Sequence, residues 1–318
     1  MNLKSIFHFS ILLTLPLIIY GKNDDPSEIL VLTTESNGNT GDYASAMQTF
    51  IKYEIPYNVI SISQGGISNE ELENNLFTIS NTGSKIPKYK VLVFPNGRIS
   101  YDHADYSQTS QSDWQSALRY DQWELFYDYS RSYGARLVFL NEYPSNYTST
   151  SLYREFNEEE AKINYQLKQR IIAEKGITEE ETINNSILTT SGIYHFPAKI
   201  VDYGNGVTAE PLLYFGETLN YPEKTVAAVT VNNNGALYVA FFMAFGEWSS
   251  TSTALNIVWL TWATQKDLKY TSNKKVTTKE AIEENSYDSE SSGLRKYGKS
   301  ECNFIIIFTI LAIFINLL

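Results

Sequence analysis

Residues 28–34, Glu-Ile-Leu-Val-Leu-Thr-Thr, are a short apolar run rich in branched side chains, ended by the turn-forming stretch Ser-Asn-Gly-Asn-Thr-Gly at 36–41. Such a run reads as a buried strand followed by a loop. Residues 43–53 then read as a helix that Pro56 stops, 57–62 as a second strand, and Gln64-Gly65-Gly66 as a closing turn. The alternation continues with a third strand at 89–94, broken by Pro95-Asn96-Gly97 ahead of a polar, tyrosine-bearing loop to Tyr106. Residues 121–124, Asp-Gln-Trp-Glu, read as a capping box, with Leu125, Tyr129 and Tyr133 at four-residue spacing up to the helix stop Gly134. Residues 136–140 follow as a strand whose outgoing loop is 141–146. Strands alternating with helices predict an α/β chain: a doubly wound, mainly parallel sheet with helices on both faces.

Beyond this unit, 158–174 reads as a charged surface helix, after which the pattern turns to strands at 193–201, 211–215, 226–231 and 236–242. The last two are joined by Asn232-Asn233-Asn234-Gly235, which predicts an added β-hairpin. A final helix is expected over 254–264, with Leu255, Val258 and either Trp259 or Trp262 on its buried face. Residues 266–293 are rich in Lys, Glu and Ser and read as a solvated stalk.

The two ends carry addresses. Residues 1–21 place Lys4 ahead of an apolar run and the small Gly21, the pattern of a secretory signal peptide. Residues 304–318 are apolar but fewer than the ~20 a spanning helix needs. Upstream lie Ser291, Ser292 and Gly293 and a polar spacer, which together predict glycosylphosphatidylinositol attachment at one of the three and removal of 294–318. The expected product is a folded module over 22–265, lipid-anchored to the outer leaflet of the plasma membrane or transferred to the wall. Asn146-Tyr-Thr and Asn184-Asn-Ser are sequons for N-glycosylation in an exported chain.

Composition narrows the chemistry. With 25 Lys and Arg against 36 Asp and Glu, the net charge of −11 disfavours nucleic acid and anionic membrane surfaces as partners. The single cysteine, Cys302, lies in the segment expected to be removed, which leaves neither a disulfide nor a thiol nucleophile. His103 and His195 lack the spacing of a helical metal motif, and no nucleophile elbow, phosphate-binding loop or dinucleotide fingerprint is present. No cofactor is expected. The turns after the central strands, Pro95-Asn96-Gly97 and Asn141-Glu142-Tyr143, lack the cysteine of class I amidotransferases and so exclude that reaction.

What remains is a ligand surface at the carboxyl ends of the strands. Tyr101, Tyr106, Tyr143, Tyr147 and Trp248 offer flat faces for sugar rings, and Asn96, Asp102, Glu142 and Glu247 offer polar partners. The 23 tyrosines fit this reading, although core and strand faces account for many of them. Carboxylates would gain charge-assisted bonds from a sugar bearing free amines. An alternative is a metal-dependent hydrolase or deacetylase using Asp102, His103 and Glu142; a third reading is a structural wall protein with no specific sugar site.

Three stretches carry a resemblance: 53–60 with Gln64-Gly65-Gly66; 121–140 ending in Glu142-Tyr143-Pro144; and 249–256 with Trp259 and Trp262. Together they resemble the amino-terminal family 87 carbohydrate-binding module of the fungal extracellular galactosaminogalactan deacetylases. The resemblance implies a flavodoxin- or amidotransferase-like α/β module that binds an amino-sugar polymer such as galactosaminogalactan or chitosan. In those deacetylases a catalytic barrel follows, holding a metal through an Asp and a helical His pair; here stalk and anchor signal follow, so deacetylation is not implied.

Overall fold

The first strand, β1 (Ser27–Thr34), is apolar on both faces because both are covered. Ile29 and Val31 point into one core with Phe50, Leu255 and Trp259, while Leu30 and Leu32 point into the other with Leu72, Trp123 and Phe126. A computed structural model describes residues 27–35, 43–108, 112–176, 180–266 and 268. The expected signal peptide and anchor signal, and all of the stalk but 266 and 268, lie outside these residues. Among the described residues no helix is long and apolar enough to cross a membrane.

From β1 the chain passes through α1 (Ala44–Lys52) to β2 (Tyr57–Ile62), which pairs parallel with β1. It returns through α2 (Asn69–Leu76) and a small hairpin of β3 (Phe77–Ile79) and β4 (Lys85–Pro87) to β5 (Tyr89–Phe94) on the other side of β1. A second short hairpin, β6 (Ser100–Asp102) with β7 (Trp114–Ser116), precedes α3 (Tyr120–Tyr133) and β8 (Arg136–Phe139), parallel to β5. Then come β9 (Thr150–Leu152), α4 (Glu158–Asn164), β10 (Ile171–Ala173), α5 (Glu180–Asn185) and β11 (Ala198–Ile200). The chain closes with β12 (Val207–Phe215), β13 (Thr225–Asn233), β14 (Ala236–Phe241) and α6 (Ser250–Thr264).

The main sheet runs β10-β12-β13-β14-β8-β5-β1-β2, with β11 and β9 attached beyond β13. Its half from β14 to β2 is parallel, and the remaining pairings are antiparallel. Helices α1 and α6 share the core on one face, and α2 and α3 share that on the other, the doubly wound arrangement expected. Strand order reverses at β1 and β5, so the crevice of the open sheet falls at their carboxyl ends.

Three local readings change. The expected helix over 158–174 ends at Asn164, and Ile171–Ala173 become a strand because Phe215, Tyr214 and Leu213 of β12 pair with them. The capping box shifts by two residues: Arg119 is the α3 N-cap and its amide donates to Gln122 Oε1 at 3.0 Å. Asp121, inside the first turn, instead accepts from Asn69 and Arg119. The 193–201 stretch supplies only the three-residue β11 and a bridge from His195 to Met243. The added hairpin does form, turning through Asn234 and Gly235, both at positive φ (49° and 96°), as a two-residue turn between right-twisted strands requires.

Candidate functional site

At the sheet's switch point Asn96 follows β5 and reaches across to β1. Its Nδ2 donates to Thr34 Oγ1 at 3.1 Å, and its Oδ1 accepts from Thr33 Oγ1 at 3.4 Å. Gly97 sits at φ +54°, and a Cβ there would lie 3.0 Å from both the Asn141 carbonyl oxygen and Glu142 Oε2. Glycine is therefore what lets the loop after β5 pack against the loop after β8. Asn141 itself adopts φ +53°, so the turn leaving β8 is sharp, with its amide donating to Met243 and the Glu142 amide to Phe241.

That turn buries Glu142, which is 3% exposed and whose Oε2 has no hydrogen-bond partner among the described residues. Burial pushes its carboxyl up from the ordinary 4.5 to about 7, against the opposing pull of the Arg98 charge and the Tyr143 amide. Arg98 does not chelate it. Its Nη1 donates to the Tyr127 hydroxyl at 3.0 Å, and its guanidinium lies 4.2 Å from the Trp123 ring centroid and 3.7 Å from that of Tyr147. Tyr147, 39% exposed, thus has one face on Arg98, while its carbonyl accepts from the Tyr238 hydroxyl.

Tyr101 and Asp102 lie on β6, and their polar atoms work inside the protein. The Tyr101 hydroxyl donates to the Ile62 carbonyl at 2.5 Å and accepts from the Glu35 amide at 2.7 Å, tying β6 to the ends of β1 and β2. Asp102 accepts from the Ala104 and Asp113 amides at 3.0 and 2.9 Å and from the Tyr106 hydroxyl. Partial burial pushes its carboxyl up, but these bonds and Ser112 outweigh it and hold the group below the ordinary carboxylate range. Hydrogen bonding to Asp102 in turn raises the Tyr106 phenol. His103 Nδ1 meets Gln64 Nε2 at 3.3 Å. Asp102 and His103 thus order the β6–β7 loop while Glu142 is buried beside Gly97. Among the described residues no three His, Cys, Asp or Glu side chains form a group that could hold a metal ion.

His195 is fully buried, with Nδ1 on the Ile193 carbonyl at 3.0 Å and Nε2 on Gln169 Oε1 at 2.8 Å. Burial lowers it to about 4, against the Ile193 carbonyl, which favours the charged ring.

Of the rings expected from sequence, Trp248, Tyr143, Tyr106 and Tyr147 are exposed, the first two most of all. Trp248, 54% exposed, lies over Gly246 and Gly192, whose missing side chains make room for the indole, and Glu247 beside it accepts from Gln48 of α1 at 3.2 Å. Tyr143, 51% exposed, meets Phe196 edge-on at 5.0 Å, and Phe196 is braced by Tyr165 and Tyr194. Beside Tyr143 a groove of about 380 Å³ runs along β9 and β11, lined also by Pro144, Ser151, Leu152, Tyr153, Arg154, Glu155 and Lys199. Apart from Tyr143 its residues were not among those expected from sequence, and nor was Arg98, although a lone cation directly after the glycine of the turn leaving β5 was a readable signal. Of the sequons, Asn146 is exposed, and Asn184 is half-buried with Oδ1 accepting from the Ala173 amide.

Comparison with known proteins sets this geometry in a family. The crystal structure of Agd3, described as a novel carbohydrate deacetylase, is similar over 76% of this chain, with 26% identity and a TM-score of 0.60. The match covers 32% of Agd3, so the chain corresponds to about a third of that protein. More distant are a cold-adapted β-galactosidase from Rahnella sp. R3 (10% identity, TM-score 0.42, 74% of this chain and 31% of that one). A ThuA-like protein from Parabacteroides merdae ATCC 43184 stands at a similar distance (10% identity, TM-score 0.45, 77% of this chain and 93% of that one). No curated protein sequence matches. The family model of the Agd3 carbohydrate-binding module, CBM87, matches residues 26–262, which takes in every strand of the sheet from β1 to β14 and most of α6; the chain belongs to the CBM87 family.

Proposed function

We propose that this protein is a non-catalytic, cell-surface module that binds an amino-sugar-containing polysaccharide of a fungal wall or matrix, such as galactosaminogalactan or chitosan. The observation that carries this reading is the CBM87 match across the whole α/β sheet, which makes the folded part a carbohydrate-binding module. The site supports it: braced, solvent-facing rings at Tyr143 and Tyr147 lie on the loop leaving the carboxyl end of β8, the parallel neighbour of β5 and so on the sheet edge that carries the crevice. Sugar rings pack their C–H faces on such rings while hydroxyls bond the polar groups beside them. The hydrolase alternative would need Asp102, and that carboxylate already accepts three hydrogen bonds from its own loop.

On this reading a lipid anchor at Ser291, Ser292 or Gly293 holds the module outside the cell, as the small residues, polar spacer and apolar run after them suggest. Release of the protein from intact cells by phosphatidylinositol-specific phospholipase C tests the anchor. Isothermal titration of the purified chain against partly deacetylated galactosaminogalactan and chitosan tests the binding. Saturable binding to either is expected, and no retention on any amino-sugar polymer defeats the reading.

A further inference from the structure

The groove beside Tyr143 is lined by two cations, Arg154 and Lys199, and one carboxylate, Glu155. Ser151 and Lys199 are directly opposed in the antiparallel β9–β11 pair, so their side chains share one face of it. Arg154 and Glu155 follow β9 at the groove's rim, both exposed, and Pro144 and Leu152 supply apolar lining. Glu155 lies near enough to Tyr143 for its charge to contribute to raising the phenol, after burial. Among the described residues no ion pair engages Arg154, Glu155 or Lys199.

The charged groups of the lining are therefore two cations, Lys199 and Arg154, against one carboxylate, Glu155, while the Ser151 hydroxyl donates to the Leu152 carbonyl and that of Tyr153 to Glu223. A hexosamine with a free amine would bring an ammonium into a lining where two cations outnumber the one carboxylate. An N-acetylated hexosamine instead brings a neutral amide, whose carbonyl accepts from Lys199 or Arg154 and whose N–H can donate to Glu155. Its methyl group and ring C–H face suit Leu152, Pro144 and the Tyr143 face, and a volume of about 380 Å³ is at the lower end of small-ligand sites. The geometry points to this groove as a subsite for an uncharged, N-acetylated hexosamine residue, with Tyr143 as platform and Lys199 and Glu155 reading the acetamido group. This deepens the binding function proposed above and rests on it. It also means that the overall negative charge of the chain does not set the preference at the groove.

The test uses the purified full chain with hexamers of N-acetylglucosamine and of N-acetylgalactosamine and with their deacetylated counterparts, by isothermal titration at neutral pH. At least one acetylated hexamer should bind more tightly than its deacetylated counterpart. Tyr143→Ala should weaken that binding by on the order of tenfold, as expected on losing an aromatic platform. Lys199→Glu should erase or reverse the preference, because it replaces a cation with a carboxylate. Both side chains are exposed, and far-UV circular dichroism checks that the variants keep the fold. Tighter binding of the deacetylated hexamers by the unaltered protein overturns the proposal, and that comparison does not depend on any variant folding. So does acetylated-hexamer binding that neither substitution changes, which would put the sugar elsewhere and leave the general binding function standing. Failure to bind any of the four, together with failure on the polymers, removes both.

Discussion

Replacing Glu142 by glutamine should stabilise the protein at alkaline pH and do little in acid. The carboxyl is buried at the end of β8 with Oε2 unpartnered, and burial raises it from 4.5 to about 7. A raised acid binds its proton more tightly folded than unfolded, so stability is full below 4.5, falls as pH climbs from there to about 7, and is lowest above. At ~1.4 kcal/mol per pH unit the span amounts to about 3 kcal/mol, an upper bound for Glu142→Gln at pH 8 because the amide must find partners of its own. For a domain of this size that is roughly 6–12 °C in Tm. Calorimetric scans of both proteins at pH 4.5 and pH 8 measure it: the variant should gain at pH 8, and the two curves should converge at pH 4.5. A variant that loses stability chiefly at pH 8 refutes the reasoning, since Arg98 would then be stabilising the carboxylate more than burial penalises it.

Gly97→Ala should destabilise by on the order of 2 kcal/mol, from left-handed backbone and a Cβ 3.0 Å from Asn141 and Glu142 oxygens, read as a lower urea midpoint at unchanged slope. Tyr101→Phe removes the hydroxyl joining Glu35 to Ile62 and should lower stability by about 1–3 kcal/mol while leaving titrated sugar affinity unchanged. His195 is lowered from 6.5 to about 4, so its contribution is present above 6.5 and is lost as pH falls toward 4. The stability deficit of His195→Gln in urea titrations should accordingly be larger at pH 7 than at pH 4.

The parallel half of the sheet was legible because each of its elements advertises itself locally. The run from Ile29 to Leu32 is apolar on both faces, as a strand covered by helices must be, and Gly134 ends α3 at φ +68°. The three-residue strands were not, because they exist only through distant partners. Ile171–Ala173 sit in a charged stretch whose composition favours helix, and pairing with Leu213–Phe215 overrides that preference. The β6–β7 hairpin likewise depends on bonds such as Tyr101 to Ile62 that a local pattern cannot register.

The same distinction separates the candidate binding residues. Residue type and loop position picked out Tyr101, Tyr143 and Tyr147 alike, but whether a phenol faces solvent depends on what the rest of the chain already asks of it. The Tyr101 hydroxyl joins two strand ends, whereas Tyr143 sets its edge against Phe196 and keeps half its surface open. Glu142 differs again, because the close approach of Gly97 buries its side chain and removes it from the ligand surface that its loop position suggested. Lys199 could not be singled out at all: one exposed lysine among many, it gains meaning only when antiparallel pairing sets it opposite Ser151 and beside an exposed tyrosine from the end of a central strand. The groove proposed as a sugar subsite therefore depends on the short strands β9 and β11 that set a cation beside an exposed ring, and those strands are the part of the fold that local sequence signals least.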